Sequence, residues 1–286
     1  MNTDQHQLLQ LSEQLEALLV ARNPRGMANV RRVLKPGYCL RAAQLLQAAE
    51  GNVVICTGFP VADTFETDGP AGALALYEFC ERSGLSPWLL AGAPLIDALG
   101  PGVQAKVLAT FDREIAAIEA EQLLNELEPS LIIVIERPGH AEDGRYYNIR
   151  GVDISDACRP AEPYVEQADC PVIAIGDGGN EIGMASAGTV LNSLNIKPAV
   201  TGCTELVVAD VSNWGAYGIV AMAERLNGEP ALAWLEPRPL MERLVEVGAV
   251  DGVTHEAMPT EDGLGIEIGL ELIERIQRLL NQDVSQ

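Results

Sequence analysis

The chain has 286 residues, enough to bury the core of one large α/β domain. Apolar residues make up 48% of it, with 27 Gly and 17 Pro, a balance that suits a folded protein rich in tight turns and excludes extended disorder. Nineteen Lys and Arg against 41 Asp and Glu leave a formal charge of -22, which repels phosphate backbones and anionic headgroups and so argues against nucleic-acid or membrane partners.

From Gln5 to Val20, Leu8, Leu11, Leu15, Leu18 and Leu19 recur at spacings of three and four, the stripe of an amphipathic helix. It either packs on its own domain or forms a dimer seam, and the second choice leaves a homo-oligomer open. The N-terminus lacks a basic stretch followed by an apolar run, and no later run reaches membrane-spanning length, so the sequence predicts a cytoplasmic protein. Residues 1–50 are expected to form an N-terminal helical segment. Within it, the stretch from Arg22 to Arg41 holds Arg22, Arg25, Arg31, Arg32, Lys35 and Arg41 and no acid, marking either an anion site or a solvated or interface-pairing face.

The chain then alternates apolar strand-like runs with helical patterns. Strands are predicted at Val53–Cys56, Trp88–Ala91, Leu131–Ile135, Val172–Ile175 and Leu206–Ala209, and helices at Ala71–Arg82, Gln104–Leu127, Ala216–Leu226, Pro239–Val247 and Ile266–Leu280. This order predicts an α/β fold, a doubly wound, mostly parallel Rossmann-like sheet with helices on both faces, built as a single domain over 1–286. Residues 138–171 are polar and Gly-rich without a period and suggest an insertion serving as pocket wall or lid. The six cysteines lie far apart with no CxxC pair, which fits reduced, mostly buried thiols.

In open parallel sheets ligands bind beyond the carboxyl ends of the strands, so the residues after each apolar run carry the most weight. After Val53–Cys56 come Gly58-Phe59-Pro60 and Glu66-Thr67-Asp68-Gly69-Pro70, where Pro70 suits a first helical position and Asp68 reads either as an ordinary helix start or as a site acid. After Leu131–Ile135 come Glu136-Arg137-Pro138-Gly139 and, further on, Arg145, Arg150 and Asp153; these arginines either grip a carboxylate or form surface ion pairs. After Val172–Ile175 stands the densest signal, Gly176-Asp177-Gly178-Gly179-Asn180-Glu181-Ile182-Gly183. It fails as a dinucleotide fingerprint because Glu181 occupies a position where Gly or Ala is needed, so NAD is not expected. Asp177 and Glu181 there could bind an ammonium group, shuttle protons or hold a divalent cation. After Leu206–Ala209 follow Asp210 and Ser212-Asn213-Trp214-Gly215, with Ser212 or Asn213 a candidate helix cap and Asp210 short of nearby cations in sequence. No GxxxxGK[ST] loop and no GxSxG elbow occurs, so ATP is not expected; of the three His, only His140 is placed to be considered for proton transfer.

Taken in order, Gly58-Phe59-Pro60, Glu66 to Pro70, Glu136 to Gly139, Arg150-Gly151-x-Asp153, Gly176 to Met184 and Ser212 to Gly215 resemble the D-glutamate cyclase family. The likeness runs from Arg25-Gly26 to Asp262-Gly263 and matches the domain that is carboxy-terminal in the two-domain mitochondrial enzymes. The resemblance implies a hydro-lyase converting D-glutamate to 5-oxo-D-proline and water, acting on a small acidic amino acid. Ring closure needs a neutral amine and an activated γ-carboxyl. On chemical grounds the candidates are Asp177, Glu181, Asp68 and Asn180 for catalysis, and Gly58, Glu66, Thr67, Arg137, Arg150, Asp153, Gly178, Gly179 and Asn213 for substrate binding. Asp68, Asp177 and Glu181 are candidate ligands for Mg or Mn. Two other readings use the same loops: a metal-dependent lactam or amide hydrolase, and a non-catalytic module that senses an amino acid or nucleotide.

Overall fold

In the computed structural model residues 3–281 are described; Met1 and Asn2, at the head of the expected helical segment, and residues 282–286 lie outside the described residues. In chain order the strands are β1 (Asn52–Thr57), the short pair β2 (Pro60–Val61) and β3 (Thr64–Phe65), β4 (Ser86–Gly92), β5 (Ala105–Leu108), β6 (Leu131–Ile135), β7 (Val172–Gly176), β8 (Glu205–Val208), and a second short pair β9 (Thr260–Glu261) and β10 (Leu264–Gly265). The α-helices are α1 (Thr3–Leu19), α2 (Met27–Val33), α3 (Tyr38–Gln47), α4 (Pro70–Arg82), α5 (Ala93–Leu99), α6 (Arg113–Leu127), α7 (Glu162–Glu166), α8 (Ser212–Asn227), α9 (Pro237–Glu246) and α10 (Ile266–Leu280).

Six strands pair in the order β5-β4-β1-β6-β7-β8, and every pairing is parallel. The order reverses between β1 and its two neighbours, which makes the doubly wound α/β arrangement and places a crevice beyond the β1 and β6 tips. The continuous apolar runs follow from burial on both faces. Along β1, Val53 and Ile55 join the core under α1, α3, α4, α8 and α10, while Val54 and Cys56 face the layer of α6 and α7. Along β6, Leu131, Ile133 and Ile135 divide from Ile132 and Val134 in the same way. Leu15 and Leu19 of α1 are fully buried in this core. No helix of the described residues is long and apolar enough to cross a membrane. All six cysteines are free, four of them buried.

One expected element divides in two. The predicted helix Gln104–Leu127 is instead strand β5 followed by α6. As an edge strand carrying the polar Lys106 and exposed Val107, β5 offers no apolar run, and α6 starts only where Asp112 accepts hydrogen bonds from the Glu114 and Ile115 amides.

Candidate active site

The crevice beyond β1, β6 and β7 is filled by acids. Glu66 and Asp68 follow β1, Glu136 follows β6 directly, Asp177 and Glu181 follow β7, and Asp262 comes from the β9–β10 turn. Glu66, Glu136, Asp177, Glu181 and Asp262 line a cavity of about 120 Å³ together with Arg25. That volume falls well below the roughly 300–1,000 Å³ of sites for drug-sized ligands, so the cavity suits a small molecule. Asn148, Ile149, Arg150 and Ile154 from the 138–171 segment form one wall, and Asn180 and His255 complete it.

The loops are fixed by their own acids. Glu181 turns its carboxylate onto three successive amides, accepting from Asp177 at 3.1 Å, Gly178 at 2.6 Å and Gly179 at 2.6 Å. The loop closes this tightly because Gly179 sits at φ +102°, where a side chain is strained. Asp68 accepts from the Gly69 amide at 2.8 Å and, across the crevice, from Ser212 at 2.9 Å and Asn213 at 2.7 Å, so it caps α8 rather than its own helix. Asn213 returns the arrangement: its Oδ1 accepts from the Gly69 amide at 2.9 Å and Gly72 at 2.6 Å at the start of α4. Its Nδ2 donates to the Thr67 carbonyl and to Glu261 Oε1 at 2.8 Å.

Asp177 and Asp262 each carry one buried oxygen without a hydrogen-bond partner. Asp177 Oδ2 accepts from Arg25 Nη1 at 2.5 Å, while its buried Oδ1 has no hydrogen-bond partner. Arg25 also reaches Asp262 at 2.7 Å. Glu136 accepts a short hydrogen bond from the Ser212 hydroxyl and turns toward the cavity from a left-handed backbone at φ +42°. Of the seven non-glycine residues with positive φ among those described, four (Ala62, Glu136, His255 and Asp262) line this one cavity. Strain of this kind concentrates at functional sites.

Burial dominates the acidities. Desolvation raises Glu66, Asp68, Glu136 and Asp177 well above the ordinary carboxylate range. Neighbouring acids add to it: Asp262 and Asp68 on Glu66, and Glu181, Asp68 and Glu66 on Glu136. On Asp177 the Arg25 charge opposes burial, while Asp262 and Glu136 reinforce it. The cavity therefore favours protonated acids or a bound cation.

One oxygen each from Asp68, Glu136 and Asp177 lie within 4.8 Å of one another, close enough to hold a metal ion. All three side chains are buried, all offer hard oxygen donors, and the orphaned Asp177 Oδ1 lacks a partner that an ion would supply. The donor set thus fits a hard divalent cation such as Mg or Mn. Glu181, expected with Asp68 and Asp177 as a metal ligand, turns its carboxylate onto the loop amides, and Glu136 stands beside the other two acids.

Several expected site residues take other places. Asn213 and Thr67 do not line the cavity; the Thr67 hydroxyl donates to the Thr260 carbonyl at 2.6 Å. Asp153 lies on the surface, paired with Arg145 at 3.0 Å. Gly58 and Arg137 line a neighbouring cavity, with Arg137 Nη1 donating to the Gly58 carbonyl at 2.5 Å. Arg150 does line the acidic cavity, its Nη2 donating to the Val253 carbonyl at 2.9 Å. Asn180 lines it too, anchored by Nδ2 to the Tyr147 carbonyl. Asp210 needs no cation, since it accepts from the Arg22 and Asn23 amides. His140 lies outside the cavity, where His255 is found instead. Glu136, Arg25 and Asp262 were not among the site candidates. For Glu136 the signal was its position immediately after an apolar strand, and for Arg25 it was the acid-free basic stretch.

The sequence model of the family described as "D-glutamate cyclase-like, C-terminal" matches residues 15–277. The chain belongs to this D-glutamate cyclase-like family. It is 30% identical to the human protein "D-glutamate cyclase, mitochondrial", in an alignment covering 68% of this chain and 36% of that protein. The chain thus spans about a third of its human relative. Among solved structures, an exopolyphosphatase-related protein from Bacteroides fragilis is similar with a TM-score of 0.44 at 10% identity, over 86% of this chain and 60% of that one. The family match covers the β1, β6 and β7 tips, so the acidic cavity lies wholly inside the matched region.

Proposed function

We propose that this protein is a D-glutamate cyclase, a hydro-lyase that converts D-glutamate to 5-oxo-D-proline and water in the acidic cavity. The observation that carries the reading is a small cavity whose buried acids Glu66, Glu136 and Asp177 stand beside the half-buried cation Arg25, inside a chain of the D-glutamate cyclase-like family. The substrate ammonium is the cation such a site prefers.

In the reaction the α-amine nitrogen bonds to the γ-carboxyl carbon and one C–O bond of that carboxyl breaks. The ammonium loses two protons, and the departing oxygen leaves with two as water, so no net proton is taken up or released. The site must therefore take protons from nitrogen and deliver them to oxygen. A set of acids held above the ordinary carboxylate range can do both, one member ionised and its neighbour protonated. Asp177, with its free Oδ1, is the candidate acceptor from the ammonium, and Glu136 the candidate donor toward the γ-carboxyl. Arg150 on the wall is the candidate partner of the α-carboxylate. A divalent cation, if present, would be held by Asp68, Glu136 and Asp177 as ionised carboxylates and would supply polarisation of the carboxyl oxygen in place of a proton from Glu136.

The same acid triad also supports a second reading, a metal-dependent lactam hydrolase that breaks the bond the cyclase forms. Incubation with D-glutamate, L-glutamate and 5-oxo-D-proline, each with and without Mg or Mn, separates the two by mass spectrometry. Loss of one water from D-glutamate alone is the expected result. Gain of water by a lactam, with no glutamate dehydrated, would replace the cyclase reading with the hydrolase.

A further inference from the structure

Beside the acidic cavity, and sharing Pro60 and Ala62 of the β2–β3 hairpin with it, lies a second cavity of about 290 Å³. Its character is opposite. Arg137 and Arg159 line it, together with Gly58, Pro94, Leu95 and Phe111. Arg137 is only 5% exposed, yet no ion pair joins it or Arg159 to an acid among the described residues. The exposed Asp63 and Asp156 lie on the rim without pairing to either.

The two guanidiniums are neighbours. Arg137 donates through Nη1 to the Gly58 carbonyl and, in a short bond, through Nη2 to the Arg159 carbonyl. The Arg159 guanidinium stacks over Phe111 at 4.3 Å. Both Nε atoms are buried and have no hydrogen-bond partner. Each guanidinium carries five N–H donors, so most of those in this pair have no protein acceptor. Burial and the Arg137 charge together lower the proton affinity of Arg159, so the pair sits in an environment short of negative charge. In a chain with a formal charge of -22, two unpaired neighbouring arginines, one of them buried, are a built feature rather than a solvated face.

We propose that this second cavity is a binding site for a small oxyanion, a carboxylate or a phosphate, held between Arg137 and Arg159 against the apolar side formed by Pro94, Leu95 and Phe111. The guanidinium fork matches two oxygens of either group. The site is separate from the acidic cavity, and the inference does not depend on the cyclase reading.

The test is calorimetric titration of the full chain in EDTA at constant ionic strength, with inorganic phosphate and, separately, with succinate. One-to-one saturable binding of at least one probe is expected, and whichever binds identifies the class of anion. Arg159→Ala should weaken it about tenfold or more, as loss of a charge-assisted contact does. Arg159→Lys, which keeps the charge without the fork, should fall between. Asp177→Asn should leave it unchanged. The proposal is overturned if neither probe saturates the protein, if Arg159→Ala binds as the parent does, or if Asp177→Asn tightens binding as strongly as Arg159→Ala weakens it, since relief of charge repulsion by that change would place the anion in the acidic cavity.

Discussion

At the scale of single residues, the site is a balance of buried negative charge against few cations. Asp177 is held by one bond from Arg25 and leaves its other oxygen buried and unpartnered, while Glu136 faces the cavity from a strained backbone. Neutral isosteres should separate function from stability here. Glu136→Gln and Asp177→Asn should each lower D-glutamate turnover by roughly a hundredfold or more, the usual scale for loss of a proton-transferring group. Because it removes a charge that Glu181, Asp68 and Glu66 repel, Glu136→Gln should also melt at the same temperature as the parent or higher in metal-free buffer at neutral pH. Circular-dichroism melts beside the turnover assay read both. A Glu136→Gln protein that kept full turnover would remove Glu136 from the chemistry. Asp177 was legible because a Gly-rich turn after a strand announces close backbone approach. Glu136 was not singled out, since one acid after a strand looks like any surface residue until burial is known, and no local pattern encodes the partner it meets 76 positions away at Ser212.

At the scale of elements, the crevice is held open by an exchange between two helix starts. Asp68, at the entry to α4, accepts from the first amides of α8, and Asn213, in the first turn of α8, accepts from the amides that open α4. The helices pack closely enough that a Cβ on Gly72 would meet Ala216 Cβ and Asn213 Cα at 2.9 Å. Asn213→Ala would deprive the buried Gly72 amide of this acceptor, leave the Gly69 amide to Asp68 alone, and take one donor each from the Thr67 carbonyl and Glu261. It should destabilise the protein by on the order of 3 kcal/mol, at about 1–3 kcal/mol per unsatisfied buried group. A denaturant titration that found less than about 1 kcal/mol would show that these bonds are replaced by others. Sequence reading placed Pro70 at a helix start and suggested a cap near Ser212 and Asn213, but caps are read locally. An exchange across 144 residues becomes visible only once β1 and β8 are brought into one sheet. Edge strand β5 escaped for the opposite reason: it has little core to face and so carries little pattern.

At the scale of the whole molecule, the parallel order of six strands was legible from alternating buried runs, and it delivers the β1, β6 and β7 tips to one crevice. The resulting concentration of acids has a pH signature. Glu66, Asp68, Glu136 and Asp177 are all raised in the folded state, so the native protein binds more protons than the unfolded chain above the ordinary carboxylate range. Their contribution to stability is full below about pH 4, the unfolded carboxylate range, and is lost as pH rises through the raised folded values. Thermal melts in EDTA should therefore fall from mildly acidic toward alkaline pH. Asp143, Asp153 and Asp251, lowered by their hydrogen bonds, work in the other direction, but the first two are exposed surface groups. Mg or Mn should raise the melting temperature, more at pH 8 than at pH 5, through binding to the folded state alone. Glu136→Gln should blunt that gain. A cation effect equal at both pH values and in the variant would place the ion elsewhere.

The most direct test of the central claim is a parallel assay of the parent protein and Glu136→Gln with D-glutamate, following 5-oxo-D-proline by chiral chromatography and mass spectrometry. Product is expected from the parent, little from a folded Glu136→Gln variant, and none from L-glutamate beyond the uncatalysed background. Equal product from parent and variant, or none from the parent with either enantiomer in the presence of Mg or Mn, would contradict it.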